Sequence, residues 1–597
     1  MLATRTVSAC LAALLALAYL TQSAVALGPA PNCMPSQLNS SALLDGAVTV
    51  SPLPGSRDAT PQTQISFLGV PASQLRVVSV TGSRSGPHPG RLEPYSQGDG
   101  ASFLPSRPFL EGELVTVRGL LRSGDAVKPL SDQFRVAHED VLSSTPERTH
   151  PGPASEIQSF HSRPDLHPPV LTITTSSPEA AGGELLSAPY GGPGQSGPMI
   201  TEPDGGLVWF KALAAHTSAT NLQVQTYQGK PVLTWWQGDI SVHGFGRGED
   251  VIANEDYEDI AHVKAGNGLR ADLHDFQLTP AGTALMSAYD PIYCNLRTVG
   301  GSSYDAVTDS LLQEIDVKTG LVMFQWTSVD HVAFSESHSS TRSSSTSRPF
   351  DFFHLNSIQL TGEDSLLISA RNTWTVYDLD SSSGQILWRL GGKHSSFTMG
   401  QGTATAWQHD SRALANNTIS IFDNGASPQV HPASRAIVVR IEPQQKTETL
   451  LSQFTHPSTP LVSESQGNVQ SLANGDWFVG WGQVPDFSQF SPSGGLLFDA
   501  HFPAGDQSYR DFRFAWTGTP SHPPAFALVH SSGAVSTVYA SWNGATTVAG
   551  WRVLSGSSPA QLKALAEGPR TGFESAIALP AGVVGPYLSV QALSASG

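Results

Sequence analysis

The sequence is poor in charged residues, and in cationic residues above all. Asp, Glu, Lys and Arg make up 14% of the 597 residues, whereas they are about 25% of an average soluble protein. Lys and Arg number 33 against 50 Asp and Glu, so the formal net charge is −17. Nucleic acids and acidic membrane surfaces bind clustered cations, and the chain has no basic patch. This balance therefore excludes both as partners.

Long apolar runs are also scarce. One extends from Ala9 to Leu20, behind Arg5 and ahead of the small residues AVA at 24–26. A positive residue, an apolar run and a small-residue cleavage site predict a secretory signal peptide over residues 1–26. The run is shorter than the ~20 residues that span a bilayer, and no other stretch approaches that length. We therefore expect a secreted protein with no membrane span after cleavage.

Cysteine is nearly absent, with three residues in the chain. Cys10 leaves with the signal peptide, so Cys33 and Cys294 are the candidates for one disulfide in an oxidising compartment. Asn39 and Asn416 begin Asn-x-Ser/Thr sequons and are predicted glycosylation sites if the host adds glycans.

Glycine and proline are both frequent, and short alternating apolar runs predict an all-β fold. Runs such as "QISFLGV" and "ELVTVRGLL" predict an immunoglobulin-like β-sandwich over residues 27–145. Residues 146–167 are rich in Pro, Ser and His, which is typical of a linker.

A unit recurs over residues 168–522: a strand, a turn with Asp and Gly, and a strand with an aromatic residue. Examples are "EPDGGLVWF", "IDVKTGLVMFQW" and "FSPSGGLLFDAHF". Recurring four-stranded sheets indicate a β-propeller. About 350 residues in blades of ~40–60 give six to eight blades, and the long loops favour six. Residues 523–597, with "STVYASWNGATTVAGWRVLSG", predict a fibronectin-type-III-like sandwich.

Three strand ends carry similar polar residues. "ADLHDFQL" supplies His274, "FFHLNSIQL" with "LLISARN" supplies His354, Asn356 and Arg371, and "AWQHDSRAL" supplies His409. A propeller gathers the inner ends of its blades around a central channel, so these residues are expected to meet there. A single histidine commonly serves only to hydrogen-bond within its blade, but three at equivalent positions favour a site.

The hairpin over residues 351–372 sharpens that expectation. With the turn at 361–364, the residue numbers of two directly opposed residues add up to 725. His354 therefore lies opposite Arg371, and Asn356 lies opposite Ser369. Directly opposed Cβ atoms lie about 4.5–5.5 Å apart, so an anion is expected between the two cationic groups. Arginine binds sulfate or phosphate oxygens in a bidentate manner.

Other interpretations of the cluster remain open at this stage. Three histidines can bind zinc, but the permanent charge of Arg371 disfavours a cation, so we predict no metal and no cofactor. Asp275 and Asp410 follow two of the histidines, yet adjacent strand residues face opposite sides. Neither is expected to orient its neighbour, although Asp410 can bond to another blade. Trp374 and Trp407 lie beside the cluster and either stack an aryl substrate or pack within the blades.

The quoted motifs, with "GPMITEPDGGLVWF" and "GNVQSLANGDWFVGWG", resemble those of the arylsulfate sulfotransferases. Members of that family are six-bladed propellers that move a sulfuryl group from a phenolic sulfate to a phenol through a sulfohistidine, without a nucleotide donor. The resemblance implies that His409 is the nucleophile and that His274, His354 and Arg371 hold the sulfuryl oxygens. It implies that Asn356 supports that cradle. It also implies proton transfer by a histidine, His354 before His274.

The resemblance leaves some positions and alternatives open. Characterised members also use tyrosines near the channel, for which Tyr257 and Tyr289 are candidates. A non-catalytic propeller that binds an anionic, sulfated ligand and a hydrolase that uses water as acceptor are the alternatives. A quinone-dependent dehydrogenase is disfavoured because no cluster of metal-binding acids is present, and a nucleotide-dependent sulfotransferase needs a strand–loop–helix that an all-β channel lacks.

Overall fold

The computed structural model describes residues 31–40, 43–44, 48–123, 126–142, 152–341, 348–362, 364–457, 460–531, 534–580 and 586–596. The predicted signal peptide, including Cys10, lies outside these residues. Within them the helices are short: α1 (Ser328–His331) and five 3₁₀ turns at Ala72–Gln74, Ala154–Glu156, Arg297–Val299, Phe334–Glu336 and Pro559–Gln561. None of the described helices has the length and apolar character to cross a bilayer. The all-β class predicted from the sequence is confirmed.

Two sheets form the N-terminal region, in the orders β1-β2-β3-β7-β6 and β5-β4-β8-β9. They bury a shared apolar core that includes Val50, Phe67, Val115 and Phe134. Their strands are β1 (Leu43–Leu44), β2 (Val48–Ser51), β3 (Ile65–Leu68), β4 (Leu75–Gly82), β5 (Gly86–Pro87), β6 (Gly90–Pro94), β7 (Gly100–Pro105), β8 (Leu114–Ser123) and β9 (Ala126–Arg135).

The first half of the central region has thirteen strands among the described residues. The last nine of them form one sheet, and the first four belong to two other sheets. The strands are β10 (Thr172–Ser176), β11 (Glu184–Ser187), β12 (Met199–Thr201), β13 (Leu207–Phe210), β14 (Ser218–Tyr227), β15 (Lys230–Ile240), β16 (Gly246–Ala253), β17 (Asp259–Val263), β18 (Ala271–Leu278), β19 (Thr283–Cys294), β20 (Asp305–Asp316), β21 (Val322–Thr327) and β22 (Phe350–Asp351). Gly205, in the turn between β12 and β13, has φ +89°, a conformation that glycine adopts without strain.

The second half of the central region repeats the four-stranded unit three times. Its strands are β23 (Leu355–Leu360), β24 (Ser365–Ala370), β25 (Thr375–Asp380), β26 (Ile386–Gly391), β27 (His409–Leu414), β28 (Thr418–Asp423), β29 (Arg435–Glu442), β30 (Thr447–Phe454), β31 (Asn468–Ser471), β32 (Trp477–Gly480), β33 (Asp486–Phe490), β34 (Leu496–His501) and β35 (Phe512–Phe514). Consecutive strands pair antiparallel in the orders β23-β24-β25-β26, β27-β28-β29-β30 and β31-β32-β33-β34.

The sheets of the central region contact one another in a closed cycle. The innermost strands follow one another as β14, β18, β23, β27 and β31, and β35 lies against both β32 and β14. Both ends of the region close the cycle, because β10 pairs with β34 and β11 pairs with β35. This is a propeller-like arrangement; the count of six blades stays a prediction.

Two three-stranded sheets, β36-β37-β40 and β39-β38-β41, form the C-terminal region. Val538, Trp551, Val553 and Ile577 lie in their shared core. The strands are β36 (Ala525–Ser531), β37 (Ala534–Ser541), β38 (Gly550–Gly556), β39 (Lys563–Pro569), β40 (Glu574–Ala578) and β41 (Tyr587–Leu593). The likeness to fibronectin type III and the domain boundaries predicted above stay predictions.

A disulfide joins Cys33 to Cys294 at the end of β19, with 5.3 Å between the Cα atoms. Both cysteines are buried in the core that continues into the propeller-like region. The candidate pairing from the sequence is confirmed. The bond ties the segment that precedes the N-terminal sheets to a residue 261 positions later.

Replacing both cysteines by serine is expected to lower the free energy of unfolding by several kcal/mol. A loop of this length contributes up to about 5 kcal/mol in the chain-entropy view of disulfides. Denaturant unfolding with and without dithiothreitol measures the effect. The double variant should be insensitive to reductant and should match the reduced natural protein; equal stability of the oxidised natural protein and the variant would contradict the prediction.

Candidate active site

The three histidines lie at the starts of neighbouring inner strands, and each start is irregular. His274 lies within β18, His354 directly precedes β23, and His409 opens β27. The pairing of each strand with the next shifts register close to its histidine. His354 also has φ +61°. Bulges of this kind bend a strand and re-aim its side chains, which turns the three imidazoles toward a common point.

The bulge in β23 corrects the predicted hairpin register. Leu355 pairs with Ala370, and the Arg371 N–H donates to the His354 carbonyl at 2.9 Å, so the predicted sum of 725 holds at this end. Beyond Asn356 the sum becomes 726, so Ser357 and not Asn356 faces Ser369. The prediction for Asn356 was therefore wrong, because one residue of β23 is left without a partner in β24.

Asn356 is fully buried and lies behind the histidines. Its side-chain NH₂ donates to the Gln408 carbonyl at 2.7 Å, one residue before His409. Asn356 does not line the cavity. It therefore fixes the strand of His409 from a neighbouring sheet.

The imidazole rings of the three histidines are buried and close together. The Nε2 atoms of His274 and His354 are 3.1 Å apart, and one nitrogen from each of the three rings falls within 4.8 Å of the others. Among the described residues, this is the one group of three or more His, Cys, Asp or Glu side chains whose spacing could hold a metal ion. The absence of a metal stays a prediction that rests on the charge of Arg371.

The Nδ1 atom of each ring has its own oxygen partner, and sequence reasoning missed all three. Asp272 lies 2.6 Å from Nδ1 of His274, and Asp351 lies 2.5 Å from Nδ1 of His354. Asn424 Oδ1 lies 2.7 Å from Nδ1 of His409. The two aspartates precede their histidines by two and three positions, so they differ from the acids directly adjacent to histidines that the sequence suggested. Asn424 follows the next strand, β28, and carried no signal of its own.

The amide of Asn424 fixes the tautomer of His409. Its NH₂ donates to the carbonyls of Ser463 and Gln466, at 3.1 and 3.0 Å, so its oxygen must accept from Nδ1–H of His409. The Gln466 backbone N–H donates a hydrogen bond to the other nitrogen, Nε2, at 3.3 Å. Nε2 therefore presents a lone pair.

The environment of His409 also keeps the ring neutral. Burial lowers its pKa well below the usual value, and the charge of Arg371 and the proximity of His354 lower it further. A neutral imidazole with an unprotonated Nε2 at a cavity wall is the form that attacks an electrophile, once its lone pair is released from the Gln466 N–H.

His274 and His354 form a different kind of pair. Each Nδ1 faces a carboxylate and so donates a proton to it, and the contact between the Nε2 atoms then needs one further proton between them. Burial disfavours the charged form of Asp272, but His274 and two backbone N–H groups lower its pKa overall. Burial lowers the pKa of His274. The two carboxylates favour such a shared proton, and burial opposes it.

Arg371 and Trp407 line the cavity with the histidines. The guanidinium donates to the Asn372 side chain at 2.9 Å and the Glu464 carbonyl at 3.1 Å. It lies 4.9 Å from the centre of the Trp407 ring. The cavity has a volume of about 700 Å³, and its walls also include Val242 and Tyr509.

Three aromatic candidates from the sequence do not line the cavity, although the Tyr289 ring lies 5.5 Å from that of His274 and 5.7 Å from that of His354. Trp374 stacks on His338 at 3.6 Å and meets Trp407 edge-on, which is the packing role that the sequence left open beside substrate stacking. The Tyr257 hydroxyl donates to the Gly544 carbonyl, in the C-terminal region. The Tyr289 hydroxyl donates to the Leu355 carbonyl.

A buried ion network lies behind the histidines. Asp275 contacts Arg510 at 3.0 Å and Arg412 at 2.9 Å. Asp410 contacts Arg412 at 2.8 Å and accepts from the Val469 N–H, in the next sheet, at 3.0 Å. As predicted, neither acid contacts the histidine beside it, and Asp410 bonds to another sheet.

Comparisons with solved structures give distant likenesses. A protein of unknown function from Bacteroides caccae is 12% identical, covers 55% of this chain and 98% of its own, and has a TM-score of 0.34. A quinonprotein alcohol dehydrogenase-like protein from Bacteroides thetaiotaomicron is 10% identical, with 76% and 96% covered and a TM-score of 0.26. Apo AztD from Citrobacter koseri is 9% identical, with 56% and 98% covered and a TM-score of 0.26. TM-scores of this size do not establish a common fold.

A comparison with curated proteins found no match. The family model for arylsulfotransferases (ASST) matches residues 223–503. The matched stretch supplies the three histidines, Arg371 and the partners of each Nδ1 atom. This match supports the resemblance to the arylsulfotransferases over residues 223–503.

Proposed function

We propose that this protein transfers a sulfuryl group from an aryl sulfate ester to a phenolic acceptor, through a sulfohistidine on His409 and without a nucleotide donor. The observation that carries the proposal is the state of His409: a buried, neutral imidazole whose Nδ1–H is fixed by Asn424. Its Nε2 lone pair lies beside Arg371 and a pair of histidines that holds one proton.

In the first step the Nε2 atom of His409 attacks the sulfur of the bound ester. The N–S bond forms as the bond from sulfur to the aryl oxygen breaks. By analogy with phosphoryl transfer, the transition state is loose and carries charge on the peripheral oxygens. Fixed donors on those oxygens are the main catalytic requirement, and the Arg371 guanidinium supplies them. The departing phenolate takes the proton held by the pair and leaves as a phenol.

The second step reverses these changes with a new phenol. Its hydroxyl proton returns to the His274–His354 pair while its oxygen attacks sulfur, and the N–S bond breaks with the electron pair returning to Nε2. The sum of the two steps moves one sulfuryl group and leaves every protein group as it began. No redox partner or cofactor is required.

The charges of the site suit an aryl sulfate. The ester carries one negative charge. Arg371 and the shared proton supply two positive charges, which Asp272 and Asp351 balance from the Nδ1 atoms of the histidines. The aromatic face of Trp407 lies at the same wall and suits the aryl ring. Because Trp407 contacts Arg371, the groups proposed to bind the aryl ring and the sulfate are adjacent.

The setting of this activity is also part of the proposal. We propose a secreted enzyme, which the apolar segment at residues 9–20 and the disulfide both favour. Its catalytic region is proposed to be a six-bladed propeller, with an N-terminal sandwich and a fibronectin-type-III-like sandwich at its ends. Its substrates are proposed to be small aryl sulfates and phenols.

His409→Ala is expected to abolish transfer. Purified protein is incubated with 4-nitrophenyl sulfate, with and without phenol, and 4-nitrophenol release is followed. Release by the natural protein should depend on phenol and should fall at least ~10³-fold in the variant, as expected when a nucleophile is removed. Mass spectrometry of the protein without acceptor should find one added SO₃ group on His409.

His394→Ala is the matched control, because His394 is exposed and outside the cavity. Release without phenol would indicate a hydrolase. No release from several aryl sulfates would contradict transfer and favour a propeller that only binds an anionic ligand.

The rate of sulfohistidine formation is expected to stay constant from pH 8 to below pH 6. The lowered pKa of His409 keeps its Nε2 unprotonated in this range, so protonation stops the reaction only at lower pH. Single-turnover rates with 4-nitrophenyl sulfate, whose leaving group needs little proton transfer, give the profile. An acid limb near pH 6.5, the ordinary histidine value, would contradict a neutral buried nucleophile.

Asn424→Ala is expected to lower kcat about 10–100-fold with a smaller change in KM, by analogy with groups that orient metal-bound histidines. The substitution removes the acceptor that holds Nδ1–H, so Nε2 loses its fixed direction. Steady-state kinetics and thermal unfolding are measured together. A variant with intact stability and unchanged kcat would show that Asn424 does not orient the nucleophile.

A further inference from the structure

Tyr509 lies in the loop between β34 and β35 and lines the cavity. Its ring meets the His274 ring edge-on, with 5.5 Å between centres, and meets the His409 ring at 6.3 Å. The phenol therefore stands between the nucleophile and the histidine pair. No sequence motif pointed to it, since its neighbours, "DQSYRDF", form an ordinary loop.

The hydroxyl of Tyr509 is buried without a hydrogen-bond partner among the described residues. The side chain is only 2% exposed, so water does not replace the missing partner freely. The neighbouring Tyr289 hydroxyl differs, because it donates to a carbonyl at 2.6 Å. A buried hydroxyl without a partner is costly, and on a cavity wall a bound ligand can supply the missing partner.

The surrounding residues hold the Tyr509 ring firmly. The Arg510 guanidinium lies 5.2 Å from its centre and is itself fixed by Asp275 and the Asn356 carbonyl. The Tyr509 carbonyl accepts from the Gly467 N–H at 3.0 Å, next to the residue whose N–H reaches His409. The phenol and the nucleophile thus share one rigid frame.

We propose that the Tyr509 hydroxyl is a further catalytic group, which donates a hydrogen bond to a peripheral oxygen of the sulfuryl group during transfer. This inference rests on the proposed function. The phenol keeps its proton throughout, and no bond to it forms or breaks. Such a bond supplies the partner that this buried hydroxyl lacks among the described residues.

Tyr509→Phe tests this role because it removes the hydroxyl and leaves the ring. We expect kcat to fall about 10²–10³-fold, as when one oxyanion donor is removed, with the melting temperature unchanged or higher. A role in folding alone would lower stability and leave kcat unchanged. Tyr257→Phe, which removes a buried hydroxyl far from the cavity, is the control.

A series of aryl sulfates with leaving phenols of different pKa completes the test. A donor to a peripheral oxygen lowers the rate by a similar factor across the series. A loss that grows with the pKa of the leaving phenol would overturn the proposal, because the hydroxyl would then act as an acid on the leaving oxygen. An unchanged rate would overturn it too.

A binding measurement separates this inference from the proposed function. Affinity for 4-nitrophenyl sulfate is measured by calorimetry in His409→Ala, with and without Tyr509→Phe. Weaker binding in the double variant supports a contact with the sulfate even if the natural protein shows no turnover. The proposal is overturned if Tyr509→Phe leaves the affinity unchanged in His409→Ala and also leaves the single-turnover rate unchanged in the otherwise natural protein.

Discussion

The buried contact among Asp275, Asp410, Arg412 and Arg510 is the interaction on which the site depends. Its two carboxylates and two guanidiniums balance in charge, and they come from two inner strands and the loop before β35. Removing one partner from such a network costs about 3–5 kcal/mol, because the remaining charge is left unpaired. The network lies directly behind the bulged strand starts. It therefore fixes the positions from which three histidines and one tyrosine reach the cavity.

The site separates its two chemical tasks by the partner of each Nδ1 atom. A neutral amide faces His409, so that ring gains no charge from its partner and stays a nucleophile. Carboxylates face His274 and His354, so that pair retains a proton that it can give and take back. In the proposed mechanism the same residue type thus serves as nucleophile and as acid, and the rings differ in the group that contacts Nδ1.

Sequence reasoning predicted what depends on local patterns. Alternating apolar residues and Asp-Gly turns gave the all-β class, and the position of each histidine relative to its strand led to the cluster. It missed what depends on a single extra residue or on distant loops. An alternating pattern does not reveal that Asn356 lacks a partner in the neighbouring strand. Trp374 is close to Arg371 in the sequence, but it packs on His338 and does not line the cavity. Asn424 and Tyr509 reach the site from the end of a neighbouring strand and from a loop that closes the cycle of sheets.

The closure of that cycle sets an order on assembly. A ribosome releases the histidine-bearing strands well before it releases β34 and β35, and the latter two strands pair with β10 and β11 from the beginning of the region. Tyr509 and Arg510 therefore arrive last, together with the strands that join the two ends. The frame that holds the three histidines is therefore complete only when both ends of the region have paired.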